Sequence, residues 1–146
     1  AADLLGRKVL MENGRGLQLL SARIEATAER ALAMPALAEH ALALRQALQQ
    51  VAAATRAAWA TGVPAEALAN AVPYMQAFGH TVLAWIWLDV SLAALRDDAT
   101  QSIAKTQGRT RAAAYFYHYE LPKIGAWLQV VSTRDPLCAT MPDAAF

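Results

Sequence analysis

Two constellations of side chains in this chain are of types that could do chemistry. The first is His80 with His118 and Glu120, two imidazoles and a carboxylate that could act as acid, base or ligand once packed together. The second is Asp89, which lies on the same helical face as Phe78, Val82 and Trp85. A carboxylate buried there without a partner would cost several kcal/mol or take up a proton. The cations in reach are Arg109 and Arg111, if the chain folds back on itself near residue 101, and the expected result is a buried ion pair. The same hairpin brings His80 level with His118 and Glu120, where a partly solvated polar cluster is a commoner outcome than a catalytic one.

Other chemistries fail on spacing. A di-iron bundle needs Glu-x-x-His pairs, and the chain has Glu39-His40 and His118-Tyr119-Glu120 instead. One cysteine and three histidines provide neither covalent haem attachment nor a zinc site. Gly14-Arg15-Gly16 is too short for a dinucleotide fingerprint and follows no strand. The expectation is therefore no catalytic, cofactor or metal residue in this chain.

The elements that must position these groups are helices. Alanine makes up roughly a quarter of the 146 residues, Gly and Pro are few, and apolar residues recur at helical spacing. Asn13 is placed as an N-cap for a first helix over residues 14–33, with Leu17, Leu20, Ile24, Ala28 and Ala31 inward. A second helix runs to about residue 60 with Leu37, Ala41, Leu44, Leu48, Val51, Thr55 and Trp59 on one face. Gly62 stops it and Pro64 starts the third, which is expected to kink near Pro73. A polar segment, 99–107, turns the chain into a fourth helix with Tyr117, Leu121, Ile124, Leu128 and Val131 inward and Pro122 able to bend it. The predicted fold is all-α, an antiparallel up-down four-helix bundle over 13–134, with a short N-terminal helical extension over 1–12 and an irregular tail over 135–146.

The third helix is unusual. Between residues 67 and 95 it carries one formal charge, Asp89, and Trp85 and Trp87 sit two residues apart, so at about 100° per residue they point to nearly opposite sides. One stripe holds Ala71, Met75, Phe78, Val82, Trp85 and Leu92, and another holds Leu68, Val72, Leu83, Ile86 and Val90. Such a helix needs cover on two sides. Trp87, Tyr74, Tyr115 and Tyr119 are accordingly the candidate interface residues. Pro73, Gln76, His80 and Asp89 argue against a membrane span, and a net charge of +1 argues against a nucleic-acid footprint. The single Cys138 fits a reducing, cytoplasmic setting.

The block Ala71-Val72-Pro73-Tyr74-Met75-Gln76-Ala77-Phe78-Gly79-His80, followed by Trp85, resembles the A-x-P-Y-L-x-x-F-G and Trp pattern of the C-terminal helical domain of one group of bacterial acyl-CoA dehydrogenases. Lys105, Arg111, Tyr115-Phe116 and Glu120-Leu121-Pro122 are similar to that domain's later K…A-R-F-Y…L-P helix. Asp3-Leu4-Leu5-Gly6-Arg7-Lys8 resembles the D-L-x-x-R-K stretch that follows the catalytic motif Y-E-G-T-x-x-I-Q, so residues 1–12 would be the end of the preceding catalytic-domain helix. The resemblance implies a parent enzyme that uses FAD and a glutamate base to oxidise an acyl-CoA to the enoyl form. That motif is absent, so no catalytic residue carries over and FAD is expected only in the full-length parent. The implied partners are the parent's own catalytic domain or a neighbouring subunit in a homo-oligomer, with acyl-CoA reached only through the parent. Two further readings stand beside it: a stand-alone helical interaction module, and a small-ligand-binding bundle using His80, His118 and Tyr117.

Overall fold

In a computed structural model that describes residues 1–96 and 102–145, every regular element is helical. The main helices are α1 (Met11–Leu32), α2 (Ala38–Ala58), α3 (Pro64–Leu68), α4 (Ala71–Arg96), α5 (Ile103–Tyr115) and α6 (Ile124–Ser132). A π-helical turn at Leu4–Lys8 precedes them. A second, Phe116–Glu120, and a 3-10 turn, Leu121–Lys123, join α5 to α6 into one bent rod, with Pro122 at the start of the 3-10 turn. α1, α2, α4 and this rod pack as four elements, α4 against each of the others and α2 against α1 and α6.

Chain direction alternates along the sequence. Arg45 of α2 is paired with Glu25 and Glu29 of α1 across their hairpin. Tyr117 of the rod bonds to Ala84 of α4 while Glu120 meets His80, so those two run antiparallel. The same-direction pair α1 and α4 also touch, through Thr27 with Trp85 and Arg30 with Asp89.

Buried faces follow the apolar periodicity for α1, α2 and the rod. Ile24, Ala28, Ala31, Ala41, Leu44, Val51, Tyr117, Leu121, Ile124, Leu128 and Val131 are all in the core. Local structure departs from expectation in three places. Asn13 does not cap α1; it sits in the left-handed region at φ 55°, between Glu12 at φ 50° and Gly14 at φ 81°. Asn and Gly tolerate that conformation far better than Glu does. The third helix is not one kinked helix: the chain breaks at Ala69 and Asn70, so Pro73 falls in the first turn of α4, where its missing N–H needs no partner. Finally, much of segment 99–107 is helix rather than turn, because the Ser102 hydroxyl accepts from the Lys105 N–H and starts α5. The part of that segment at 99–101 lies outside the described residues.

Residues 1–10 pack on the bundle itself. Leu5 and Val9 belong to the core, Trp59 Nε1 donates to the Leu5 carbonyl at 3.2 Å, and a Cβ on Gly6 would come within 3.2 Å of Leu68. The opposite terminus is clipped to the same end, with Arg134 donating to the Ala57 carbonyl at 2.7 Å and Asn70 to that of Asp135 at 2.9 Å.

Candidate functional site

α4 is the element on which every candidate converges. Its deeply buried face is narrow and made mostly of small residues: Ala71, Tyr74, Ala77, Thr81, Ala84, Leu88 and Ser91. Small side chains let α1, α2 and the rod approach its backbone closely, so the neighbouring helices come from three directions and leave one side open. On that side Val72, Met75, Leu83 and Ile86 are 42 to 56% exposed. By length and composition α4 is also long and apolar enough to cross a membrane, the one such helix among the described residues.

Two predicted interface residues move inward. Tyr74 is wholly buried. Thr55 donates its only hydroxyl proton to the Val51 carbonyl at 2.8 Å, so its oxygen accepts from the Tyr74 hydroxyl at 2.7 Å, and burial raises the Tyr74 phenol above its ordinary range. Trp87, expected to face a separate partner, is half-buried against this chain's own core. Trp85 is half-buried on the other flank, its Nε1 donating to Thr27 Oγ1 at 2.9 Å. The two indoles do point apart, but the chain's own helices partly cover both. What remains uncovered is the strip between those flanks, not the tryptophans. Tyr115 and Tyr119 do lie on the surface, 57% and 59% exposed, with ring centroids 5.0 Å apart.

The Asp89 expectation is corrected in partner and in burial. Its carboxylate accepts from Arg30 Nη2 of α1 at 3.1 Å, and both side chains are more than half exposed. Arg111 instead lines a hollow with Leu37, His40 and Leu95, and Arg109 is exposed on α5. α4 is flanked not only by the helix next in sequence but also by α1, which supplies Arg30. A pair this exposed contributes about 0–1 kcal/mol.

His80 and Glu120 do meet, with Nε2 and Oε2 3.5 Å apart, but His118 does not join them. The π-helical turn places Glu120 toward α4 and leaves His118 exposed, edge-on to Tyr119. His80 Nδ1 lies 3.1 Å from the Gln76 carbonyl, and its ring packs edge-on to Trp127 and beside Phe116. The Lys123 ammonium, 2.7 Å from Oε2, is the main influence holding the Glu120 carboxyl below its ordinary range, and His80 adds to it. A carboxylate already bound to an ammonium is a poor general base, so the cluster is a cross-link between α4 and the rod.

His40, outside every predicted site, stacks on Tyr117 with ring centroids 4.4 Å apart and planes 9° from parallel. Burial pushes its imidazole below the ordinary value. Tyr117 in turn donates to the Ala84 carbonyl at 2.7 Å, and burial raises its phenol. Tyr117 and His118 line an open hollow with Glu39, His40 and Ala43, and His80 is not part of it. The trio proposed for a small-ligand site is therefore split between two faces. The only sequence signal for the stack was the core position of Tyr117. Among the described residues no three His, Cys, Asp or Glu side chains gather as a metal site would require.

A family model described as acetyl-CoA dehydrogenase C-terminal like matches residues 20–142, which takes in α2 to α6 and most of α1. Neither a curated protein nor a solved structure matches the chain.

Proposed function

This chain belongs to the acetyl-CoA dehydrogenase C-terminal-like family, and on that premise we propose that it serves the assembly of an FAD-dependent acyl-CoA dehydrogenase. The parent would oxidise acyl-CoA to enoyl-CoA; this domain contributes a surface and no reacting group. What supports the reading is the apolar strip of α4, which α1, α2 and the rod leave open. Large exposed apolar patches on a packed domain mark interaction sites. The carboxylates point the same way, since both are held by structural partners: Asp89 by Arg30, Glu120 by Lys123 and His80.

The test is to purify the chain and measure flavin absorbance, acyl-CoA-dependent dye reduction and mass by light scattering. No chromophore, no turnover, and association with itself or with a flavin-bearing catalytic body of this class are expected. A stoichiometric flavin, turnover, or a strict monomer that ignores such a body would refute the assembly role.

A further inference from the structure

The bend in the rod opens a cleft on the side of the bundle away from the α4 strip. α2 packs closely on α6, but the π-helical and 3-10 turns at 116–123 carry α5 away from it. Between α2, α5 and the end of α4 lies a hollow of about 300 Å³, walled by Leu37, His40, Leu95, Thr110, Arg111 and Ala114. A second hollow, of about 400 Å³, shares His40 and Ala114 with it and continues to His118. Volumes from about 300 Å³ upward are those of small-molecule sites.

The wall groups suit one class of ligand. Tyr117 covers one face of the His40 ring and is itself fixed by its bond to the Ala84 carbonyl. Tyr117 has no part in the wall of the first hollow, so the imidazole turns its other face into that space. Leu37 and Leu95 add apolar surface beside the ring, and a flat ligand can stack there with little left to order. Arg111 is the one cation in this wall, and among the described residues it has no hydrogen bond or ion pair. An unpaired guanidinium offers a planar fork of donors that matches a phosphate. From Ile103 to Tyr119 the α5 side of the cleft carries no acidic residue, and Glu39 edges the second hollow, not the first. An anion at Arg111 therefore meets attraction without a competing carboxylate in the wall.

We propose that the α2–α5 cleft binds a purine nucleoside phosphate, its base stacked on His40 and its phosphate held by Arg111. The site goes beyond the assembly reading and does not depend on it. The test is titration calorimetry of the purified chain with AMP, adenosine and ribose 5-phosphate. AMP is expected to bind with a Kd below about 1 mM. Adenosine and ribose 5-phosphate each lack one of the two contacts and should bind at least about tenfold more weakly. Arg111→Gln should weaken AMP by about tenfold or more and leave adenosine unchanged. His40→Phe keeps a ring on Tyr117 and should retain AMP, whereas His40→Ala should lose it. Ala114→Phe, at an exposed position, fills the cleft and should abolish binding with the helical circular dichroism unchanged.

No AMP binding at about 1 mM overturns the proposal. So does AMP binding that Arg111→Gln and Ala114→Phe both leave unchanged, which would place the nucleotide elsewhere on the chain. Ribose 5-phosphate bound as tightly as AMP overturns the stacked base and leaves a plain anion site. Benzoate bound more tightly than AMP overturns the nucleotide in favour of a small aromatic acid. The assembly reading is judged separately, by mass and by flavin, and stands or falls whichever of these results is obtained.

Discussion

Removing either partner of the Tyr74–Thr55 hydrogen bond should not cost the same. In Tyr74→Phe, the Thr55 hydroxyl still donates to Val51, and only an acceptor lone pair goes unused. That change costs about 1 kcal/mol, the usual net worth of a buried hydrogen bond. In Thr55→Val, nearly isosteric on α2, the Tyr74 hydroxyl is left as a donor in a site with no solvent exposure. Stranding it costs about 1–3 kcal/mol, toward the upper end because nothing else polar is bonded to it. Adding Tyr74→Phe to Thr55→Val removes the stranded group, so the double variant should be more stable than Thr55→Val alone, with a coupling of about 1–2 kcal/mol. The assay is urea unfolding at one fixed protein concentration. With a slope of about 2 kcal/mol per M, Tyr74→Phe should move the midpoint by about 0.5 M and Thr55→Val by about 1 M, with the slope unchanged. If Thr55→Val is no worse than Tyr74→Phe, or if the second substitution deepens the loss, the assignment of donor and acceptor is wrong. No effect from either would return Tyr74 to the surface.

Leu88→Ala, at a site with no exposure, should cost about 2–5 kcal/mol in the same assay, whereas Leu83→Ala on the open strip should stay within about 0.5 kcal/mol when measured on a monomer. Leu5→Ala should also cost about 2–5 kcal/mol; a negligible loss would mean that residues 1–10 belong to a neighbouring domain and not to this core. Burial depresses the folded-state imidazole of His40, which stacks on Tyr117 and faces hollows edged by Glu39, Arg111 and His118. The unfolded chain therefore protonates first. The His40 contribution is fully present above its ordinary value of 6.5 and declines as pH falls below it, until the folded imidazole protonates too. Stability measured from pH 7.5 to 5 should fall less steeply in His40→Phe than in the wild type, and matching slopes would refute the burial argument.

The helical class and three of the four buried faces were legible in the sequence because their apolar residues repeat at helical spacing against polar ones. The period is set by the backbone, so Leu44, Val51, Leu121 and Leu128 are inward wherever the helices go. α4 was misread for the corresponding reason: it is apolar almost all round, so no contrast marks its inner face. Its core line runs through Tyr74, Ala77, Ala84 and Leu88, and Met75, which shares a predicted stripe with Phe78, Val82 and Trp85, is exposed. Small residues carry little weight in an apolar pattern, but they decide where neighbouring helices can approach most closely.

Pairings between helices depended on tertiary structure throughout. Glu120 reaches His80 and His118 does not, because a π-helical turn changes the angular step along the rod just before Pro122. Asp89 finds Arg30 rather than Arg109 or Arg111 because α1, distant in sequence, lies beside α4. Spacing along one helix is a property of the backbone, and the sequence by itself determined it. Which helix stands next to which depends on how four rods share one core. Only the tertiary structure decided that, and with it that Val72, Met75, Leu83 and Ile86 are the strip left facing outward.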